Sequence, residues 1–179
     1  MAADGVRVEG DWSRLFEALR NLNLSNAELK MLNAQIGQIV AEGSKERFET
    51  EKSPEGTPWK PLSPRTLEAR ARRRTKRKDG SSGFKTKRGK VSKRAERIMT
   101  SGRPLKDTGR LMRSIAAKAT GSGTAIGTNL VQGAIQQLGG PAGRGKKVNI
   151  PARPYLGVSG REEADIMELI NDFIKERTT

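Results

Sequence analysis

The sequence contains no cysteine and no histidine among its 179 residues. Their absence excludes thiolate nucleophiles, imidazole bases, disulfides and almost every zinc or haem site, because such sites are built from these two side chains. A metal site would have to consist of carboxylates alone, and no residue pattern implies a cofactor. The composition therefore disfavours most catalytic and metal-dependent classes of protein.

Aromatic residues make up only 4% of the chain and apolar residues 34%. A soluble domain usually has roughly 45–50% apolar residues, so part of this chain is not expected to join a hydrophobic core. The length suits a single domain, which we assign to residues 1–179. The sequence has no run of about 18 apolar residues and no signal-peptide pattern, so we expect a soluble protein made in a cytoplasm, without a membrane partner.

Positive charge is abundant, with 35 Lys and Arg against 20 Asp and Glu, a net charge of +15. Residues 65–97 hold 15 basic and three acidic residues and so carry +12 of this total. Apolar residues are scarce between 72 and 97, and such a stretch cannot offset an ordering cost of roughly 1–2 kcal/mol per residue by burial. We predict an exposed loop or arm that a partner orders, and we assign the inserted basic arm to residues 65–104.

The first half of the chain predicts one dominant helix. Residues 6–9 alternate like a short strand, and Asp11 is placed to cap a helix from Trp12 to about Leu22. Ser25 and Glu28 then form a capping-box pattern that begins the longest helix. Its apolar residues recur at spacings of three and four, and prolines between 54 and 61 end it after about residue 51: Leu29, Leu32, Ile36, Ile39, Val40 and Phe48.

The second half predicts short helices and strands. A helix is expected over 64–73, a second after a cap at Asp107 or Thr108, and paired strands over 116–119 and 124–127. These are followed by a helix over 129–138, a flexible stretch over 141–147, a strand over 148–150, an extended corner over 151–159 and a last helix over 162–176. The fold class is α+β, a small mostly antiparallel sheet packed by the long helix and the C-terminal helix, with a long basic loop or arm inserted.

No pattern indicates a catalytic centre. The acidic residues of the long helix and of the last helix fall largely on polar faces, so nothing indicates the buried carboxyl with a raised pKa that acid–base catalysis needs. Residues 139–147 are rich in glycine and lysine but lack the order G-x-x-x-x-G-K-[ST], which indicates a mobile loop instead of a nucleotide site. We expect that the protein is not an enzyme.

Four blocks in sequence order carry a family resemblance: residues 55–63 (Glu-Gly-Thr-Pro-Trp-Lys-Pro-Leu-Ser), 105–115, 125–128 followed by 137–140, and 150–157, which contains Pro-Ala-Arg-Pro-Tyr-Leu. In this order the chain resembles the phage virion morphogenesis or tail-completion family, related to the neck and minor tail proteins of long-tailed phages. Members often have a histidine ahead of the double glycine, where this chain has Gln136 and Gln137, so no histidine role is transferred. The resemblance implies an α+β protein that forms rings at the head–tail junction.

Two groups of candidate functional residues follow. The first would contact DNA phosphates or an acidic neighbouring subunit, with a merely solvated loop as the alternative: Arg72, Arg73, Arg74, Lys76, Arg77, Lys78, Lys85, Lys87, Arg88, Lys90, Lys93 and Arg94. The second would contact other subunits: Trp59, Arg153, Tyr155 and Leu156. For Trp59 the alternative is an anchor that packs its loop onto the core, and for residues 151–156 it is a rigid corner.

The expected function is structural: completing the tail or joining it to the head in a phage-like particle. The expected partners are further copies of the chain in a ring, other neck and tail proteins, and genomic DNA contacted without sequence specificity. The protein would reside at the head–tail junction of the virion, and in the host cytoplasm during assembly. The alternative is a nucleic-acid-binding module of ribosomal or chromatin-like type acting through the basic segment, which the net charge of +15 would suit by itself.

Overall fold

A computed structural model describes residues 24–143, 145 and 147–178. The strand predicted over 6–9 and the helix predicted from Trp12 lie outside the described residues. Within these ranges, no helix is long and apolar enough to cross a membrane. The elements in chain order are α1 (Asn26–Thr50), α2 (Pro64–Arg74), α3 (Lys93–Thr100), α4 (Arg110–Arg113), β1 (Ala116–Thr120), β2 (Gly123–Gly127), α5 (Gln132–Leu138), β3 (Gly140–Ala142), β4 (Val148–Ile150) and α6 (Gly160–Thr178).

Helix α1 begins and ends as the sequence predicts. The N–H of Ser25 donates to the Glu28 carboxylate at 2.8 Å, and the Ser25 hydroxyl accepts from the N–H of Glu28 at 3.3 Å, which completes the capping box. Helix α1 buries Leu32, Val40 and Phe48 on one side. The helix ends at Glu51, whose backbone is left-handed with a φ of 57°. The long amphipathic helix is therefore confirmed.

The strands form two antiparallel pairs. Strands β1 and β2 pair from Ala116↔Gly127 to Thr120↔Gly123, which confirms the predicted hairpin, and β3 pairs with β4. The α+β fold class is confirmed, although the strands are divided between two small sheets. The prediction of a flexible stretch over 141–147 was wrong for its first two residues. Pro141 and Ala142 belong to β3, because they pair with β4.

Two hydrophobic clusters share helix α1. One cluster contains Phe48, Trp59 and Tyr155, in which the ring centroid of Phe48 lies 5.7 Å from that of Trp59 and 5.4 Å from that of Tyr155. The other packs α1 against α6 and includes Leu32, Val40, Ile166 and Ile170. Burial of these apolar surfaces is the main favourable contribution to folding, at about 25 cal/mol per Å².

The extended strip over residues 151–157 lies against the first cluster. The side-chain oxygen of Gln137 accepts the N–H groups of Tyr155 and Leu156, both at 2.9 Å, and its amide donates to the carbonyl of Leu156 at 2.9 Å. The indole N–H of Trp59 donates to the carbonyl of Pro154 at 2.9 Å. The predicted extended corner is thus confirmed, and side chains from distant segments satisfy its backbone groups.

A buried ion pair joins α1 to α6. Arg47 donates to the carboxylate of Glu162, and both side chains are almost wholly buried. Arg47 also donates to the hydroxyl of Ser44 at 3.2 Å and to the carbonyl of Tyr155 at 3.3 Å. The Glu162 carboxylate accepts the N–H of Ser159 at 2.6 Å, so it caps α6 as well. Because every charge has partners, the pair orients the two helices without an unpaired buried ion.

The lack of a side chain at Gly43 leaves room for this ion pair, because a Cβ atom there would overlap the carboxylate of Glu162. We predict that Gly43→Ala displaces Glu162 from Arg47 and lowers the free energy of unfolding by roughly 3 kcal/mol, because it leaves a buried charge without its partner. Urea unfolding measures the effect. Gly160→Ala is the matched control, since a Cβ there meets nothing within 4 Å. Equal stabilities of the two variants would contradict the prediction.

Burial raises the pKa of Tyr155 to about 12. An unfolded tyrosine has a pKa of about 10, so above that pH only the unfolded chain loses the phenolic proton. The contribution of the Tyr155 hydroxyl to the free energy of unfolding is fully present below pH 10 and is lost as pH rises towards 12. We predict that the wild type loses about 2–3 kcal/mol more stability across this range than Tyr155→Phe does. Denaturant unfolding at matched pH values checks this, and parallel curves would contradict it.

Candidate functional site on the basic segment

Residues 64–100 fold into a small substructure, here called the basic unit. It contains α2 and α3, which pack on each other, and the chain between them. Helix α2 has Pro64 in its first turn and Ser63 as its cap, as predicted, with the Ser63 hydroxyl accepting the N–H of Thr66 at 3.3 Å. The charged segment therefore begins and ends in regular secondary structure.

A nine-residue hairpin occurs three times in the described chain, over residues 51–59, 75–83 and 84–92. In each copy the N–H of the ninth residue donates to the carbonyl of the first, at N···O distances of 2.7, 3.0 and 2.8 Å. The second residue of each copy is a lysine that bridges to the eighth. The sixth is a glycine with φ of 81°, 82° or 77°, a backbone conformation that glycine adopts at little steric cost.

Two of these hairpins, in direct succession, connect α2 to α3. Each hairpin satisfies much of its own backbone: the N–H of the third residue donates to the carbonyl of the seventh at 2.9 Å in residues 75–83 and at 2.8 Å in residues 84–92. The pattern Lys-x-x-x-Gly at 76–80 and again nine residues later at 85–89 is the sequence signal for this repeat. Sequence reasoning missed it.

The basic unit has a small hydrophobic cluster of its own. Ala71, Phe84 and Ala95 are buried, with exposed fractions of 0%, 4% and 0%, and Ile98 and Met99 pack against them. The prediction that residues 72–97 need a partner for order is thereby corrected. The reason is that the hairpins bring the few apolar residues together while their backbone groups bond to one another.

Asp107 anchors the basic unit to the rest of the chain. Its carboxylate pairs with three arginines of α2, at 3.5 Å from Arg70 and 3.3 Å from Arg74 and also with Arg73. Arg70 donates in addition to the carbonyl of Arg103 at 2.9 Å. The predicted helix cap at Asp107 was wrong, because the arginines engage its carboxylate. Gly109 is the residue before α4 and has no side-chain cap, while the hydroxyl of Thr108, the other predicted cap, accepts the N–H of Arg110 at 3.4 Å.

The ion pairs divide the predicted cations into two sets. Arg72 bonds to Glu68 and lies 4.3 Å from the ring centroid of Phe84, while Arg73 and Arg74 are held by Asp107. The guanidinium groups of these three arginines are therefore engaged by groups of the chain itself. The other nine are exposed and have no salt bridge to any described residue; we call them the cation surface: Lys76, Arg77, Lys78, Lys85, Lys87, Arg88, Lys90, Lys93 and Arg94.

The pKa shifts of Arg70 and Asp79 agree with this division into paired and unpaired cations. Burial lowers the pKa of Arg70, an effect that Asp107 opposes and Arg74 and Arg73 reinforce. Asp79 is the one acid inside the two hairpins, and hydrogen bonds from the hydroxyl and N–H of Ser81, at 2.7 and 2.8 Å, lower its pKa. Asp79 thus shapes its own hairpin and leaves the neighbouring lysines unpaired.

The residues predicted to contact other subunits lie mainly inside the chain. Trp59, Arg153 and Tyr155 are buried, with exposed fractions of 6%, 4% and 0%, and Leu156 is half-buried. Arg153 donates to the carbonyls of Lys60 at 2.8 Å and Pro61 at 3.2 Å. Their burial supports the alternatives of a packing anchor and a rigid corner, and the contact with other subunits stays a prediction.

Catalytic chemistry has no visible centre in the described part of the chain. No group of His, Cys, Asp and Glu there has the arrangement of a metal site. The buried carboxylate of Glu162 is engaged by Arg47 and by the backbone of α6. What the basic unit offers chemically is positive charge on an ordered scaffold.

Neutralising Asp107 should loosen this scaffold. We predict that Asp107→Asn lowers the protection of α2 and α3 amides against hydrogen exchange by about 10-fold or more, because it leaves the buried Arg70 without its anion. Glu68→Gln is the control, since it also removes one acid that pairs with an arginine of α2, but at an exposed site worth little stability. Unchanged protection in Asp107→Asn would rule out the anchoring role.

Comparison with known proteins places these features in a family. Residues 10–81 and 77–175 match the phage virion morphogenesis family, and the two stretches overlap inside the second hairpin. Mu-like prophage FluMu G protein 2 of Haemophilus influenzae is 49% identical over 74 residues, which are 41% of this chain and 54% of that protein, so the match spans about half the relative's length. No solved structure matches the chain. The chain belongs to the phage virion morphogenesis family.

Proposed function

We propose that the chain is a structural protein of the head–tail junction, which completes the tail or joins it to the head through ring-forming contacts between subunits. The observation that carries the proposal is the family match over residues 10–81 and 77–175, which covers most of the chain. A relative from a Mu-like prophage supports the coarser part of the proposal, a structural role in a phage particle. The basic unit is then an insertion within one assembly domain.

The described surface offers places for self-association. Val131, Leu138 and Val148 are exposed by 95%, 66% and 59% of their areas, and such apolar side chains are commonly covered in assemblies. Each two-stranded sheet also leaves the outer edges of both strands without a backbone partner among the described strands. Subunit contacts through residues around α5 and β4 would use both features.

A non-enzymatic role fits this proposal. The sequence lacks cysteine and histidine, and the one buried glutamate described above is paired with Arg47. The alternative of a ribosomal or chromatin-like nucleic-acid-binding module rests on net charge alone, whereas the family match points to particle assembly. We therefore favour assembly.

The proposal is tested in the phage or prophage that encodes the chain. A stop codon early in the gene should give lysates in which electron micrographs show separate heads and tails, and the wild-type chain supplied from a plasmid should restore joined particles. Intact, joined particles from the mutant would refute a role at the junction.

Complementation with surface variants then tests the ring contacts. Leu138→Glu combined with Val148→Glu should fail to restore joining and should shift the purified chain to smaller species in light scattering, because buried charge opposes association. Met31→Glu, at a 53% exposed methionine on α1, is the control that should complement. If all variants complement equally, the contacts lie elsewhere.

A further inference from the structure

We propose that the cation surface of the basic unit binds the phosphate backbone of duplex DNA without reading its sequence. The inference deepens the proposed function by naming duplex DNA as the partner of the cation surface. It rests on the proposed function for the position in the particle at which the chain would contact DNA. The binding itself is a property of the isolated chain. It is therefore testable apart from particle assembly.

Most of the predicted cations are available to bind a polyanion. Of the 12 predicted cations, Arg72, Arg73 and Arg74 are engaged with Glu68, Phe84 or Asp107. The nine members of the cation surface are exposed and lack a salt bridge to any residue that the structure describes. Mutual repulsion among nine such charges within residues 76–94 is relieved when the phosphates of a polyanion neutralise them, and the small cations condensed on that polyanion are then released into the solvent.

The cation surface is held on an ordered backbone. Seven of the nine cations lie on hairpins whose ninth N–H and first carbonyl are bonded at 3.0 and 2.8 Å, and Phe84 fixes the hairpins against Ala71 and Ala95. A surface that is already ordered loses less conformational entropy on binding than a flexible tail does. The hairpins therefore present their charges as a prepared site.

The composition of the cation surface favours nucleic acid over an acidic protein as its partner. Six of the nine cations are lysines, and the only large apolar side chain exposed within residues 64–100 is Val91, at 42%. Lysine is depleted in protein–protein interfaces, whereas apolar and aromatic anchors are enriched there. A lysine-rich surface without an exposed apolar or aromatic anchor is better suited to bind the phosphates of a nucleic acid than another protein.

The side chains of the basic unit favour duplex over single-stranded nucleic acid. Single-strand binders stack bases on exposed aromatic rings. Phe84 is the one aromatic residue of the basic unit, and it is only 4% exposed. Residues 64–100 also contain no asparagine or glutamine, the side chains that read the edge of adenine. The many exposed cations suit contacts to phosphates, which carry no sequence information.

The experiment measures binding of the purified full chain to a short fluorescein-labelled duplex by anisotropy at several salt concentrations. In the hairpin variant, Lys78, Lys85, Lys87 and Lys90 are all changed to Gln. Each phosphate contact contributes roughly 0.9 to the slope of log K against log salt, so the slope should fall by about 3–4 and affinity by at least about 10-fold. A mixed-sequence and an AT-rich duplex should bind alike.

The matched control changes Lys30, Lys45, Lys60 and Lys118 to Gln, four exposed lysines outside the basic unit. It alters net charge by the same amount, and it should keep the affinity and slope of the parent. Circular dichroism should show that both variants are folded. A second hairpin variant combines Arg77→Gln with Arg88→Gln. Its slope of log K against log salt should fall by the contribution of about two phosphate contacts.

Three results would overturn the inference: no duplex binding by the parent chain, equal losses in the hairpin variant and the control, or tighter binding to polyglutamate than to duplex of equal charge. The last result would assign the surface to an acidic protein. Failure of the proposed function is separate, since it appears as joined particles in the absence of the chain whatever its affinity for DNA.

Discussion

The fold depends on the extended backbone of residues 151–157, which pairs with none of the described strands. Gln137, Trp59 and Arg47 provide those bonds from three different segments. Because an unsatisfied buried amide or carbonyl costs about 1–3 kcal/mol, each of these segments is held where the strip requires it. Arg47 then connects the same strip to Glu162 and thus to α6. The sequence blocks that resemble the family meet here.

The sequence predicts those elements whose signals are local. The capping box at Ser25 and the apolar spacing of α1 act within one or two turns, and the glycine turn before Gly123 brings adjacent strands together. The division into two sheets was not predictable, because nothing in a strand of three residues such as β4 states which neighbour it will pair with. The hydrogen bonds of Gln137 were not predictable for a similar reason, because its partners Tyr155 and Leu156 lie 18 and 19 residues away.

For the candidate site, charge located the segment but not its internal structure. Counting lysines and arginines treats Arg73 and Lys78 alike, although Arg73 pairs with Asp107 and Lys78 has no salt bridge to a described residue. The difference depends on an ion pair 34 residues apart in sequence, which composition does not contain. Likewise, Phe84 looked isolated among charges, and only the two hairpins bring it to Ala71 and Ala95.

The repeated hairpin has a consequence for how proteins of this kind can vary in length. Each copy returns the chain to its starting point, since the carbonyl of its first residue and the N–H of its ninth lie within 3.0 Å of each other. A further copy inserted beside residues 84–92 would therefore leave the ends of the neighbouring segments in place. Gain of such a module in evolution would add positive charge in steps of nine residues, while the rest of the fold stayed unchanged.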